Sequence, residues 1–182
     1  MKLYNQKNDT ILKVQQTFVD IFSIRNYQIL KKPIFQKNLN ENTFELLEGT
    51  DNDNVKCIVL LIFSKIGKEK IKKIISDYEN VHLIIVSETN LTAKGRQELI
   101  GINIETFLIQ QVIFNILNHS LQPKFKLLSL EEIEILLCHL HCNLNDFPKM
   151  KSSDPISIYF NAKPKDVFEI KRTDGIYYRL VV

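Results

Sequence analysis

The chain has 182 residues, of which 45 % are hydrophobic and 25 % charged, an ordinary globular composition sufficient for one domain or two small ones. A net charge of +3 with a pI near 8.6 excludes a protein that holds nucleic acid by charge alone, since such proteins are far more basic. Cys57, Cys138 and Cys142 are too few for a disulfide framework, the longest apolar run (Cys57 to Phe63) cannot span a membrane, and MKLYNQKNDT has no signal-peptide core, so a soluble intracellular protein is expected.

In chain order, Ile11, Val14, Phe18 and Phe22 recur at helical spacing and predict an amphipathic helix from Asn8 to Arg25, closed by Asn26 in a left-handed conformation. Gln36 to Asn54 is rich in Asn, Asp and Glu and predicts a loop, with a weak strand at Phe44 to Leu47. Val55 to Phe63 is apolar and β-branched, a strand buried on both faces. Lys68 to Tyr78 follows as a helix with Ile71, Ile74, Ile75 and Tyr78 on one face. A strand from Val81 to Val86, a short helix from Thr92 to Leu99 and a strand from Ile102 to Glu105 continue the alternation. The pattern predicts a small α/β unit with parallel strands.

Thr106 to Leu117 is apolar but interrupted by Gln110, Gln111 and Asn115, and either finishes this unit or bridges to the next. Pro123 disfavours helix in the residue before it, so the expected domains are 1–117 and 118–182. In the second, Ser129 and Glu132 form a capping box for a helix buried through Ile133, Leu136, Leu137 and Leu140. Asp154 before Pro155 caps a short helix from Ile156 to Phe160 that ends at Asn161. Val167 to Arg172 and Ile176 to Val182 form a hairpin around Asp174-Gly175. The fold class is thus an α/β N-terminal domain of short strand-helix alternation plus a small α+β C-terminal domain with a β-hairpin.

Reactive chemistry is sparse. Cys138-His139-Leu140-His141-Cys142 suggests zinc, but on a helix the cysteines share one face while the histidines point elsewhere; no metal and no cofactor are expected. Gly67-Lys68 lacks the upstream glycine of a phosphate loop. Asp51, Asp53 and Lys56 stand at a strand entrance, yet Val55 to Phe63 carries no acid to complete a nuclease metal site, so solvated loop acids are expected. His119 has no nucleophile or acid fixed near it and reads as a histidine capping a carbonyl. Lys65, Lys68, Lys70, Lys72 and Lys73 read as a solvated helix face, with a polyanion as the alternative. No catalytic residues emerge.

The segment after Asn118 resembles the assembly domain of the shared fifth subunit of eukaryotic RNA polymerases, a family with archaeal relatives. The resemblance rests on ordered blocks: Asn118-His119 with Leu121 and Pro123-Lys124, Leu128-Ser129 with Glu131-Glu132, and Leu136-Leu137. It continues through Phe147-Pro148-Lys149-Met150, Ser153-Asp154-Pro155-Ile156, Tyr159-Phe160, Lys165-Asp166-Val167, Glu169-Ile170-Lys171-Arg172 and Tyr177-Tyr178-Arg179. The part before it is similar, more loosely, to the family's jaw domain. Arg25-Asn26-Tyr27 fits the Arg-Gly-Tyr end of its first helix, and Asn90-Leu91-Thr92-Ala93-Lys94 falls where the family has a Thr-Pro-Ser-Ala loop near downstream DNA. Asn161 replaces a usual Gly, Phe125 a common second His, and the loop proline is missing.

The resemblance implies a non-catalytic subunit of a multisubunit DNA-directed RNA polymerase. Residues 118–182 would dock on the largest subunit and the rest of the core, and the jaw, residues 1–117, would lie near downstream duplex DNA, contacting it weakly and without sequence preference. The implied DNA-proximal residues are Asn90, Thr92, Ala93 and Lys94; the implied interface residues are His119, Pro123, Pro148, Asp154, Pro155, Tyr178 and Arg179. The protein would work in the nucleus of a cell, or in the host cytoplasm and virion of a large DNA virus. The competing reading is a stand-alone nucleic-acid-binding or degenerate nuclease-like module.

Overall fold

The computed structural model describes residues 2–31, 36–37, 43–99 and 101–182. The chain divides into two compact units, Met1–Phe114 and Asn115–Val182.

The first unit opens with helix α1 (Lys2–Ile24). It begins ahead of the expected Asn8 because no Gly or Pro stops it, and it ends at Asn26, whose φ of 58° is left-handed. The strands β1 (Gln28–Lys31), β2 (Gln36–Lys37) and β3 (Thr43–Thr50) follow. The expected polar loop is thus largely sheet where it is described, and its residues 38–42 lie outside the described residues. β3 reads as polar because Glu45 and Glu48 sit on it, but both are partnered, Glu45 by the Tyr78 hydroxyl and Glu48 by Lys56 at 2.9 Å.

Next come β4 (Lys56–Ile62), α2 (Lys68–Asp77), β5 (His82–Ser87), α3 (Ala93–Gln97), β6 (Ile104–Leu108) and α4 (Ile109–Val112). The sheet order is β1-β3-β4-β5-β6, with β2 also on β3. β4, β5 and β6 are mutually parallel, and β3 runs antiparallel to β4. Alternate strand residues serve opposite faces. Ile58, Leu60, Ile62, Leu83 and Ile85 pack with Ile71 and Ile74 of α2. On the other face Phe18 of α1 meets Phe107 edge-on, with ring centroids 5.4 Å apart. Helices on both faces explain why β4 and β5 read as continuous apolar runs.

The second unit has a four-stranded sheet of order β7-β9-β10-β8, formed by β7 (Lys124–Leu127), β8 (Lys149–Met150), β9 (Val167–Arg172) and β10 (Gly175–Val181). Helix α5 (Leu130–Leu140) has the reciprocal capping box, with the Ser129 hydroxyl accepting from Glu132 N at 3.2 Å and Glu132 accepting from Ser129 N at 3.0 Å. Its cluster of Ile133, Phe147, Val167 and Leu180 fills one sheet face. Helix α6 (Pro155–Tyr159) belongs to the opposite face, with Met150, Ile156, Phe168, Ile170 and Val181. Ile116 and Leu117, expected in the first domain, pack into this second core. No helix among the described residues is long and apolar enough to cross a membrane.

Candidate functional site

Neighbouring residues of β10 serve different faces of the second sheet. Tyr178 joins the α5 side, 5.9 Å from the Phe147 ring, and burial raises its hydroxyl pKa. Arg179 stands opposite Phe168 on the α6 side, where its guanidinium donates to Lys149 O at 3.4 Å. The two side chains therefore lie on opposite faces of the sheet.

On the α6 side a groove of about 450 Å³ brings together Asp154, Pro155 and Arg179 of the expected interface residues. Its floor is apolar (Ile116, Phe125, Met150, Ile170) and its walls carry Arg172 and Gln122. Asp154 caps α6, its Oδ1 accepting from Ile156 N at 2.9 Å, and Pro155 occupies the first helical turn, where its missing N–H is harmless. A second hollow shares Gln122 and Arg172 with the groove and adds Pro123, Lys124 and Lys171. Asp174 lines it too, but its Oδ2 accepts the Tyr177 hydroxyl at 2.7 Å, a bond that lowers the Asp174 pKa and raises that of Tyr177. The combined surface is basic over an apolar floor.

Pro148 is exposed and its carbonyl accepts from Leu180 N at 2.9 Å. His119 is exposed as well, and its role differs from the expected one. Its Nδ1 accepts from Leu121 N at 3.2 Å, so the ring ties down a backbone N–H instead of a carbonyl. Cys138 and His139 are exposed and Cys142 half-buried; among the described residues no three His, Cys, Asp or Glu side chains are placed to hold a metal ion.

In the first unit, Asn90 lies in the loop after β5, Thr92 is the N-cap residue of α3, and Ala93 and Lys94 are the first two residues of that helix. The Thr92 hydroxyl caps α3 by accepting from Gly95 N at 3.1 Å, while Asn90, Ala93 and Lys94 are exposed. The lysine set is not one solvated face. Lys68 and Lys72 approach Glu98 at 2.8 and 3.8 Å, and Lys70 is half-buried, donating to Ser64 Oγ at 2.5 Å with its pKa lowered by burial.

A buried polar array at the amino ends of the parallel strands was not legible in the sequence. The Arg25 guanidinium forks onto both Glu105 oxygens at 2.8 Å, His82 Nε2 lies 2.7 Å from Glu105 Oε1, and His82 Nδ1 lies 3.4 Å from Asp51 Oδ2. Asp51 is therefore no solvated loop acid: its other oxygen accepts from Asp53 N at 3.0 Å and Val55 N at 2.9 Å. Lys56 turns to Glu48, so Asp51, Asp53 and Lys56 do not converge. Burial, then the Glu105 charge, pushes the adjacent Cys57 thiol up to about 12 despite Arg25, leaving it a poor nucleophile. The available signal was Glu105 itself, an acid in an apolar strand, which demands a cation.

These features define a two-unit α/β chain with a buried polar array in the first unit and a groove carrying Arg172 and Arg179 on the second. Residues 114–181 match the family model described as RNA polymerase Rpb5, C-terminal domain. The chain is 47 % identical over 74 residues to the DNA-directed RNA polymerase subunit Rpo5 of Thermococcus kodakarensis, covering 38 % of this chain and 90 % of that protein. It is 31 % identical over 158 residues to DNA-directed RNA polymerase subunit 5 of Acanthamoeba polyphaga mimivirus, covering 80 % and 75 %. With the Dictyostelium discoideum subunit rpabc1 of DNA-directed RNA polymerases I, II and III it shares 27 % identity over 194 residues, covering 94 % and 97 %. The chain belongs to the Rpb5/Rpo5 family of DNA-directed RNA polymerase subunits.

Proposed function

We propose that the chain is a non-catalytic polymerase subunit whose second unit docks on the largest subunit and whose first unit lies as a jaw beside downstream duplex DNA. The observation that carries this reading is the extent of the archaeal relative. A stretch making up 38 % of this chain covers 90 % of that polymerase subunit, and the family match fills residues 114–181. A protein little longer than the second unit thus suffices as a polymerase subunit in an archaeon, which supports assembly as that unit's task. The groove carrying Asp154, Pro155 and Arg179 is its docking surface, with His119, Pro123, Pro148 and Tyr178 holding the surrounding frame. Asn90, Thr92, Ala93 and Lys94 face the DNA, where exposed Lys94 supplies a phosphate contact that positions the duplex without reading sequence. The working place is the nucleus for a cellular polymerase, or host cytoplasm and virion for a viral one.

Co-purification tests this directly. The tagged chain is expected to bring down the two large polymerase subunits, and Arg179→Glu to lower that recovery while circular dichroism stays unchanged. Magnesium-dependent DNA cleavage by the isolated chain, or tight DNA binding at physiological salt without polymerase, would replace this reading with the stand-alone nucleic-acid module.

A further inference from the structure

The docking surface described above includes a strand edge whose hydrogen-bonding groups face outward. Backbone groups along a strand alternate in direction. Val181 donates to Asp166 O at 2.8 Å, toward β9, whereas Leu180 and Val182 donate to Pro148 O and Met150 O at 2.9 Å, toward β8. By the same alternation Ile176 and Tyr178 aim their N–H and C=O groups toward the β8 side. β8, however, pairs only with Leu180 and Val181. Pro148 has no N–H to extend the ladder, and Phe147 turns into the α5-side core. Pro148 and Phe147 stand level with Arg179 and Tyr178, and among the described residues no strand lies beside Gly175–Tyr177 on that side.

Such a row of donors and acceptors is a template for another strand unless a bulge, a proline or a covering element blocks it. The register of β10 with β9 is unbroken from Gly175 to Leu180. Ile176 and Tyr177 stand 53 % and 42 % exposed along it. The charges nearby say what would fit. Tyr177 and Arg179 point to the α6 side, where Arg172 packs its guanidinium 5.1 Å from the Tyr177 ring centroid. Both nearby carboxylates are already engaged: one oxygen of Asp154, in the groove, is held by Ile156 N, and Asp174, beside Arg172, accepts the Tyr177 hydroxyl at 2.7 Å.

We infer that the free edge of β10 accepts an extended segment of the polymerase partner as an added strand in which acidic side chains alternate with apolar ones. The acidic positions lie on the α6 side, over Arg172 and Arg179. The apolar positions lie on the α5 side, against Ile176 and Tyr178. Main-chain bonds to Ile176 and Tyr178 supply affinity, and the alternation supplies selectivity. The inference rests on the docking reading of the second unit and specifies how the partner is held.

Amide hydrogen exchange on the free chain and on polymerase that has incorporated it tests the inference. The Ile176 and Tyr178 amides should exchange readily in the free chain and slow by at least about tenfold in the complex. Ile176→Pro removes one outward donor and spares the β9 ladder, since proline is tolerated on edge strands. That variant should keep the wild-type circular dichroism and lose at least about tenfold in polymerase recovery, the loss expected of main-chain bonds that carry the affinity. Unchanged exchange at both amides in an assembled polymerase overturns the added strand and leaves docking intact, as does normal recovery of Ile176→Pro. Should the proline disturb the fold, the exchange measurement on the unsubstituted chain decides. Failure of the wild-type chain to enter any polymerase overturns the docking reading and this inference with it.

Discussion

Arg25 and Glu105 meet as a two-pronged ion pair, Nη1 and Nη2 of the guanidinium each 2.8 Å from a different carboxylate oxygen, across 80 residues of sequence. The Arg25 side chain is only 2 % exposed, and the pair ties the end of α1 to β6 in the first unit. Removing one partner leaves the other charged and buried, which costs far more than losing a surface pair. Arg25→Ala should therefore lower stability by roughly 3–5 kcal/mol in urea unfolding. A loss under about 1 kcal/mol would show that the pair behaves like an exposed salt bridge.

The same pair makes the first unit sensitive to acid. Burial pushes the Glu105 carboxyl up, but hydrogen bonds from His82 and Arg25 outweigh it and hold the group at about 2, below the ordinary 4.5. A folded-state value below the unfolded one means that the stabilisation is fully present above about 4.5 and drains away as the pH falls toward about 2. Glu105→Gln, which has no such charge to lose, should flatten the dependence of unfolding free energy on pH across that window. An identical slope in wild type and variant would assign the acid sensitivity to other carboxylates.

Gly49 lies on β3 opposite Ile29 of the antiparallel β1. A Cβ added there would lie 2.3 Å from Gln28 O and 2.9 Å from Phe22 Cε2, and backbone cannot step aside as a flexible side chain can. Gly49→Ala should destabilise by about 1–3 kcal/mol, read as a lower Tm. Gly67 is the steric control: an added Cβ meets nothing within 4 Å, so Gly67→Ala should cost no more than the loss of a favourable N-cap residue of α2, about 1 kcal/mol at most.

Local chemistry was legible in the sequence and long-range pairing was not. Ser129 with Glu132, and Asp154 with Pro155, predict their helices because a cap is satisfied within three residues. The apolar runs of β4 and β5 are visible because both of their faces are covered. β7 has four residues, KFKL, and its hydrogen bonds come from β9, so nothing near it in sequence announces a strand. β8 has two residues and exists only by pairing with β10. The resemblance implies Asp154 and Arg179 together as interface residues, but the groove that unites them depends on the order β7-β9-β10-β8, which no spacing encodes. The Arg25–Glu105 contact was hidden for the same reason.

The cysteines offer a probe of each unit. Cys138 is exposed, Cys142 half-buried and Cys57 fully buried, with a thiol pushed up to about 12 chiefly by burial and secondarily by Glu105. A thiol reagent at neutral pH should modify Cys138 rapidly, Cys142 more slowly and Cys57 only as the first unit unfolds. Arg25→Ala should hasten Cys57 modification without altering Cys138. Rapid labelling of Cys57 in the native wild-type chain, followed by peptide mass spectrometry, would contradict its burial in the sheet.

Asp154 has two assignable roles, and two substitutions separate them. As a cap, its Oδ1 accepts from Ile156 N at 2.9 Å, so Asp154→Ala should lose about 0.5–2 kcal/mol of stability in the second unit. Asparagine preserves the accepting oxygen and removes the charge, so Asp154→Asn should restore most of that stability. Polymerase recovery then reports on docking. The other charged residues lining the groove are Arg172 and Arg179, and an acidic segment seated over them is repelled by a further carboxylate. Asp154→Asn should accordingly be recovered with polymerase at least as well as wild type. A stable Asn variant that fails to assemble would mean that the carboxylate itself contacts the partner, and that the occupant of the groove brings a cation to meet it.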